Sequence, residues 1–365
     1  MTIEQVEHCA GCFLCAEVCP KKCISISYDK LGHMQPRIDA AMCVDCGACV
    51  KACPEMSVVD KKVPMKVLAS WDKDDASREK SSSGGLATAL SHKVVEEGGV
   101  VYGCAFVQPF AFEHIRCSSM EDLERLRGSK YVQSDTSECW AALRSDIKQG
   151  RKVLFIGTPC QVAAARRAVR NADNLFTADL ICHGVPSVKM LKDSLPADFF
   201  TLSFDKVEFR ASTKFHFSAK SGISVVYDRK LSEDWFLKGF FTALYYRDSC
   251  YACKYANATR CGDITLGDFW GVDEALIDTD VEKGLSLVMI NTDKGGQLVD
   301  DIKDGINIVE RPVDEAISGN KQLSKPMPRR WGARVFSTLY PYCGFKSSLF
   351  ASIPGVVIKN LLLRK

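Results

Sequence analysis

The chain has 365 residues, of which 46% are hydrophobic and 25% are charged, and its formal net charge is +3. This composition is that of a folded protein of about two domains and excludes wholesale disorder, collagen and coiled coil. No apolar run approaches the roughly 18 residues that span a bilayer, and the first ten residues lack the basic-then-apolar pattern of a secretory signal. We therefore expect a cytoplasmic protein.

Cysteine is the unusual residue, with eighteen in the chain and nine of them between positions 9 and 53. In a reducing compartment so many thiols do not normally form a disulfide framework. Thiolates crowded at short spacings are ligands for zinc, copper(I) or iron–sulfur centres. The sequence therefore predicts an N-terminal metal module joined to a different domain.

Two cysteine runs at residues 9–19 and 43–53 share the spacing C-x2-C-x2-C-x3-C-P. This is the spacing of bacterial two-cluster ferredoxins, in which the fourth cysteine of each run ligates the other cluster. It predicts an α+β ferredoxin-like domain over residues 1–60, with a small hairpin near residues 24–32 and two [4Fe–4S] clusters. The first cluster would be held by Cys9, Cys12, Cys15 and Cys53, and the second by Cys19, Cys43, Cys46 and Cys49. Two zinc knuckles are the alternative, although zinc sites usually have more widely separated C-x2-C pairs.

A charged, proline-containing linker is expected at residues 60–66, and beyond it helical and strand patterns alternate. Helices are predicted at residues 86–97, 136–149 and 161–170. Strands are predicted at residues 100–107, 153–156, 176–182, 207–210, 223–227, 264–266 and 285–291. This alternation predicts an α/β domain with a mainly parallel sheet over residues 66–315.

Cysteines stand at the ends of two predicted strands, where ligands bind in open α/β sheets. Gly157, Thr158 and Cys160 follow one strand, and Cys182 and His183 follow another. With Cys250 and Cys253, these two thiols could hold a third [4Fe–4S] cluster. Two alternatives stay open: Cys160 and Cys182 as small buried hydrophobic residues, or a zinc-binding C-x2-C pair. His183 is a candidate acid–base catalyst, or a hydrogen-bond donor beside a ligand cysteine.

A run of serines and glycines ending in Ser83, Gly84 and Gly85 precedes a predicted helix, which suits a phosphate at the helix N-terminus. A plain helix cap is the alternative. Lys130 and Tyr131 offer a cation and an aromatic ring beside a glycine turn. Asp263 and Asp268 bracket a predicted strand, where structural hydrogen bonding is as good an interpretation as chemistry.

Five segments follow one another in the second half of the chain: GTPCQ (157–161), LICHGVPS (180–187), RDSCYACKYA (247–256), RCGDITLGDFWG (260–271) and GLSLVMINT (284–292). In this order they resemble segments of one known family, the beta subunit of coenzyme F420 hydrogenase/dehydrogenase. SSSGG (81–85) and RGSKYVQS (127–134) resemble the N-terminal half of the same domain. The resemblance covers roughly residues 66–310.

This resemblance implies an FAD-binding domain with an iron–sulfur cluster beside the flavin, held by Cys160, Cys182, Cys250 and Cys253. The implied flavin contacts are Ser83, Gly84, Gly85, Lys130, Tyr131, Gly157 and Thr158. Members of the family pass a hydride between reduced F420 and the flavin, and related members use ferredoxin. The sequence thus predicts an iron–sulfur flavoprotein oxidoreductase that moves electrons between a hydride carrier or small substrate and one-electron carriers. The alternative is a non-catalytic electron-transfer subunit of a larger complex that uses ferredoxin.

The C-terminal segment, residues 316–365, contains nine Lys and Arg residues but no Asp or Glu, and it includes the apolar run VVIKNLLL. A helix packed on the core, or a surface for a redox partner protein, is favoured over a membrane surface. No motif indicates nucleic acid binding.

Overall fold

A small antiparallel hairpin organises the N-terminal part of the computed structural model, which describes residues 2–170 and 172–355. Its strands β1 (Ile24–Tyr28) and β2 (Met34–Ile38) pair from Ile24 with Ile38 to Tyr28 with Met34. Two short helices, α1 (Leu14–Glu17) and α2 (Ala48–Ala52), each follow a cysteine-rich loop. The hairpin predicted from the sequence is confirmed.

The rest of the chain alternates further helices and strands. The strands are β3 (Lys66–Asp72), β4 (Val100–Val107), β5 (Ala111–Cys117), β6 (Val153–Gly157), β7 (Leu175–Leu180), β8 (Lys206–Ala211), β9 (Lys214–Ser221), β10 (Ser224–Lys230), β11 (Ile264–Asp268), β12 (Ser286–Ile290) and β13 (Ile306–Glu310). The helices are α3 (Asp75–Glu79), α4 (Leu86–Glu96), α5 (Met120–Glu124), α6 (Cys139–Lys148), α7 (Pro159–Ala168), α8 (Val188–Ser194), α9 (Trp235–Phe241), α10 (Asp248–Tyr251), α11 (Asp293–Asp300), α12 (Val313–Gly319) and α13 (Trp331–Ser352).

Eight strands form one large sheet in the order β13-β3-β12-β11-β7-β6-β4-β5. Only the central neighbours β11, β7, β6 and β4 run parallel, and every pairing outside them is antiparallel. The prediction of a mainly parallel sheet is therefore wrong, and the sheet is mixed. The turn between β4 and β5 is too short for a crossover helix, so these two strands must pair antiparallel.

A second, three-stranded antiparallel sheet has the order β10-β9-β8. It contains the strands that were predicted near residues 207–210 and 223–227, which lie outside the large sheet. Phe209 and Phe217 from this sheet pack against Phe199 and Phe236, and together they form a largely aromatic core. This sheet lies over one face of the site described below.

The C-terminal helix α13 packs onto the same aromatic core. Phe336, Tyr340, Phe345 and Leu349 are buried there, although the helix is kinked at Gly344. The boundary expected at residue 316 falls inside α12, where Ala316 is fully buried. The apolar run VVIKNLLL lies outside the described residues. No helix within residues 2–170 and 172–355 combines the length and apolar character needed to cross a membrane.

The N-terminal domain is bound tightly to the α/β domain. Thr136 Oγ1 and Trp140 Nε1 both donate to the carbonyl oxygen of Cys12, at 2.9 and 2.8 Å. Between the two domains, Lys62 forms an antiparallel bridge with Arg260, so residues 60–66 are attached to the second domain and do not form a free linker.

Candidate functional site

A cavity of about 470 Å³ opens at the carboxyl ends of the parallel strands. Gly157 at the end of β6, Leu180 at the end of β7 and Asp268 at the end of β11 line it. Its opposite wall is aromatic and includes Phe215 from the second sheet and Phe240 from α9. The ends of parallel strands are where open α/β sheets bind ligands, which agrees with the expectation from the sequence.

Six of the seven predicted flavin contacts line this cavity. They are Ser83, Gly85, Lys130, Tyr131, Gly157 and Thr158. Gly84 has a different position, because a Cβ atom there would lie 2.4 Å from the carbonyl oxygen of Ser70 and 2.8 Å from the backbone nitrogen of Ser286. Gly84 lets the serine loop, residues 81–85, pack against β3 and β12. It is not among the residues that line the cavity.

The serine loop leads directly into α4. Its N-cap residue, Gly85, has a φ of +94° and offers no side chain to the first turn of the helix. Ser82 Oγ instead accepts a hydrogen bond from Ser129 N at 2.7 Å, which joins this loop to the Lys130 turn. Gly85 therefore caps α4 without a side-chain hydrogen bond. Backbone N–H groups at such a helix start suit a negatively charged group.

Lys130 and Tyr131 occupy the wall beside this loop. Lys130 Nζ donates to the carbonyl oxygens of Leu126 and Arg127, at 2.9 and 2.8 Å, and burial lowers its pKa to about 8. The Tyr131 ring stacks on Phe240 with the ring centroids 4.8 Å apart, and burial raises its pKa. The lysine thus brings a positive charge to the part of the wall beside the serine loop.

His183 lines the large cavity and also a smaller neighbouring one. Gln322 Nε2 lies 3.0 Å from His183 Nδ1 and donates to it, which leaves Nε2 as the proton-bearing nitrogen. Burial lowers the pKa of His183, and the charge of Asp268 opposes that effect. The imidazole is therefore held neutral with a defined tautomer, a state that can donate one proton. Its catalytic role remains a prediction.

Two sets of hydrogen-bonded side chains in the cavity wall were not predicted from the sequence. In the first, Gln161 Nε2 donates to Ser134 Oγ, which lies 2.9 Å from His114 Nδ1, and burial lowers the pKa of His114 to about 4. In the second, Arg210 Nη1 lies 2.6 Å from Asp268 Oδ2. These partners lie on different elements, so no local spacing could reveal them.

Four thiols surround the smaller cavity, which has a volume of about 50 Å³. They are Cys160, Cys182, Cys250 and Cys253, the four that the family resemblance implies as ligands. Cys160 and Cys182 belong to the walls of both cavities. Burial raises the pKa of Cys160 to about 12 and that of Cys250 to about 11, and Arg247 partly offsets this effect at Cys250. Half-buried thiols that line a cavity fit an iron–sulfur cluster, whose binding displaces the thiol protons.

A third cavity of about 20 Å³ lies within the N-terminal domain. Its walls include Cys9, Cys12, Cys15 and Cys53, which is the set predicted for the first ferredoxin cluster. The predicted ligands of the second cluster lie nearby: Cys19 is buried, Cys43 and Cys49 are half-buried, and Cys46 is exposed. Cys23 is also buried, and its Sγ lies 3.4 Å from Cys19 Sγ.

All eighteen cysteines lie in the described part of the chain, and none of them forms a disulfide bond there. Within residues 2–170 and 172–355, no three Cys, His, Asp or Glu side chains converge on a position for a single metal ion. Eight of the twelve predicted ligands instead line the second and third cavities, and the three cavities adjoin one another. Ala10 lines all three of them, and Glu55 lines the second and the third. The three cavities therefore run in sequence from the large cavity into the N-terminal domain.

The adjoining thiol-lined cavities and the ferredoxin spacing define an iron–sulfur oxidoreductase that transfers electrons. Two family models agree: the N-terminal part of the coenzyme F420 hydrogenase/dehydrogenase beta subunit matches residues 67–140, and its C terminus matches residues 150–316. A 4Fe–4S dicluster domain matches residues 8–56. The chain belongs to the coenzyme F420 hydrogenase/dehydrogenase beta-subunit family and carries a ferredoxin-type domain at its N-terminus.

Characterised relatives share modest sequence identity with the chain. A subunit of the F(420)H(2) dehydrogenase of Methanosarcina mazei is 25% identical over 85% of this chain and 87% of its own length. Coenzyme F420-dependent sulfite reductase of Methanocaldococcus jannaschii is 24% identical over 83% of this chain, which spans only 47% of that protein. A chain of the F420-reducing [NiFe] hydrogenase complex from Methanosarcina barkeri aligns over 73% of this chain and 94% of its own length at 21% identity, with a TM-score of 0.49.

Proposed function

We propose that this chain is an FAD-dependent iron–sulfur oxidoreductase. It transfers electrons between a hydride carrier or small substrate, at FAD in the large cavity, and one-electron carriers. The electrons pass through [4Fe–4S] clusters. The observation that carries this proposal is that Cys160 and Cys182 line both the large cavity and the smaller cavity surrounded by four thiols, the four-thiol cavity. A flavin and a cluster held there would be neighbours, as electron transfer between them requires.

Bound FAD supplies the conversion between a two-electron hydride and single electrons. The residues of the chain bind and enclose it. The backbone N–H groups at the start of α4, after Gly85, bind a phosphate, and Lys130 contributes positive charge to the same wall. The aromatic wall of Phe215 and Phe240 excludes water. His183, held by Gln322, can donate the proton on its Nε2 to a ligand atom.

Three clusters complete the proposed electron path. The cluster beside the flavin is held by Cys160, Cys182, Cys250 and Cys253, and the two ferredoxin clusters have the ligand sets predicted from the spacing. Cys46 is exposed, so the second ferredoxin cluster is the one that an external partner, such as a ferredoxin, can approach. Cysteines at iron–sulfur ligand spacing suit a reducing compartment such as the cytoplasm.

F420 is the hydride carrier to test first, because the names of two relatives include it. The experiment mixes anaerobically purified protein with reduced F420, NADPH or reduced ferredoxin, and follows flavin bleaching. We expect F420 oxidation with reduction of the bound flavin. A protein that lacks flavin, or flavin that none of the three donors reduces, would contradict the proposal.

A non-catalytic electron-transfer subunit is the second candidate, because one relative is itself named a subunit of a dehydrogenase. Turnover separates the two functions. A purified chain that catalyses F420 oxidation with an artificial one-electron acceptor is an enzyme by itself. Flavin reduction that needs an added partner protein would instead favour the subunit.

A further inference from the structure

Arg247 is a buried cation between the N-terminal domain and the two larger cavities. Arg247 is only 1% exposed to solvent. Within the described residues all of its side-chain hydrogen bonds go to neutral oxygens: Nε donates to Cys9 O at 2.5 Å, Nη1 to Gln133 Oε1 at 3.2 Å and Nη2 to Gln35 Oε1 at 3.1 Å. No carboxylate forms an ion pair with it there. The site therefore contains a buried positive charge that its protein surroundings do not neutralise.

Arg247 contacts the backbone of one predicted ligand of the first ferredoxin cluster and of one predicted ligand in the four-thiol cavity. Its guanidinium binds the carbonyl of Cys9, from the first ferredoxin set, and its own carbonyl accepts from Cys250 N at 2.9 Å. Gly11 provides the space, because a Cβ atom there would lie 2.7 Å from Arg247 Nη1. The residue thus touches both a ferredoxin loop and α10, which carries Cys250 of the four-thiol cavity.

Buried cations are normally paired with anions, because desolvation is costly. The fully buried Arg260 follows this rule, with Asp179 Oδ1 at 2.6 Å from its Nη2. At Arg247 the nearby anion would be the cluster, since thiolate-ligated clusters carry negative charge and gain more on reduction. A fixed positive charge favours the reduced form, and net charge is one determinant of cluster potential.

We propose that Arg247 is a positioning residue that provides the counter-charge for the cluster held by Cys9, Cys12, Cys15 and Cys53, and so raises its reduction potential. This inference rests on the proposed function, because it needs the clusters. It assigns a role to a residue of the RDSCYACKYA segment that ligates nothing itself. The hydrogen bonds to Cys9, Gln133 and Gln35 fix the charge at the boundary between the domains.

The test is a potentiometric titration of the anaerobic holoprotein, with each cluster followed by its EPR signal. In Arg247→Met we expect the ratio of reduced to oxidised first cluster, at fixed potential, to fall about tenfold, which for a one-electron couple is a shift of about 59 mV. Arg247→Lys retains the charge, so its potential should stay near that of the wild type. Arg78→Met is the matched control, because Arg78 is equally buried and donates to Gly284 O and Thr279 Oγ1, away from the thiols.

Gln35→Glu gives an independent readout if Arg247→Met fails to fold. It places a carboxylate against Nη2, neutralises the guanidinium without removing it, and should lower the same potential. Wild-type potentials in a folded, fully iron-loaded Gln35→Glu or Arg247→Met protein would overturn the inference and leave the proposed function intact. Wild-type protein without iron and sulfide would overturn both.

Discussion

Asp179 and Arg260 form an ion pair that is almost completely shielded from water, with Asp179 Oδ1 2.6 Å from Arg260 Nη2. The same carboxylate accepts hydrogen bonds from Gly262 N and Thr265 Oγ1, both at 2.8 Å. Asp179 lies in β7 and its partners lie at or just before β11, so this cluster of bonds joins two parallel strands beside the four-thiol cavity. Arg260 itself lines that cavity.

Asp179→Asn should destabilise the α/β domain strongly. The substitution leaves the Arg260 guanidinium buried without its anion, and breaking a buried pair in this way costs about 3–5 kcal/mol. The midpoint of thermal unfolding, Tm, measures the effect. Asp304→Asn is the control, because Asp304 is exposed and forms no ion pair among the described residues. Equal Tm values for the two variants would show that the buried pair contributes little.

Cys182→Ser should remove one cluster and leave the others. With three clusters present, iron and acid-labile sulfide should each fall by about one third, while the EPR signals of the ferredoxin clusters persist. Cys261→Ser is the matched control, because this buried thiol donates to Pro159 O at 3.2 Å and is not among the residues lining the four-thiol cavity. Unchanged iron in Cys182→Ser would exclude Cys182 as a required ligand.

The sequence was sufficient for features that depend on local spacing or on strand order. Cys9, Cys12 and Cys15 line one cavity because short intervals place them on one loop, and Cys53 joins them from the second run, as the ferredoxin spacing predicts. Cys160 and Cys182 meet because β6 and β7 are parallel neighbours. The mixed sheet was not predictable from alternation, since outer strands such as β3 pair antiparallel with strands far along the chain.

Contacts between distant elements account for the other features that the sequence missed. For Asp268 the sequence left structural hydrogen bonding and chemistry both open, and it did not indicate the partner Arg210, which comes from the separate three-stranded sheet. Gly84 belongs to a motif that suits a phosphate, but its backbone packs too closely against Ser70 for it to line the cavity. Neither contact leaves a periodic or spaced pattern in the sequence.

Gly11→Ala should weaken the attachment of the N-terminal domain. Gly11 has a φ of +68°, and a Cβ atom there would lie 2.4 Å from Gln133 Nε2. Gly47→Ala is a matched control with a φ of +69° and no atom within 4 Å of the added Cβ. Both variants carry left-handed strain of about 1–2 kcal/mol, but only Gly11→Ala adds a steric clash. Limited proteolysis between residues 56 and 66 should therefore be faster in Gly11→Ala. Equal cleavage rates would contradict this expectation.

Asp234 should make stability depend on pH. Its Oδ1 caps α9 by accepting from Leu237 N at 2.6 Å, and burial raises its pKa to about 6 from an ordinary 3.8. A pKa raised in the folded state means that the protonated acid stabilises the fold. This contribution is fully present below pH 3.8 and is lost as the pH rises through 6.

Asp234→Asn preserves the helix cap without the charge. We expect its Tm to exceed that of the wild type at pH 7.5, by the equivalent of about 2–3 kcal/mol, and the difference to shrink as the pH falls towards 4. Asp74→Asn, at the exposed cap of α3, is the control and should show no such trend. A constant difference across the pH range would refute the assignment to Asp234.

The segment between the two domains is bonded to the second domain at both ends. Lys62 pairs with Arg260 through two backbone hydrogen bonds of 2.8 Å, and Met65 N donates to Ile290 O at 2.7 Å. The ferredoxin domain therefore has no tether on which to swing, unlike a shuttling carrier that must travel between donor and acceptor. We therefore expect this domain to keep a fixed position relative to the large cavity, so that the proposed electron passage between them would need no domain movement.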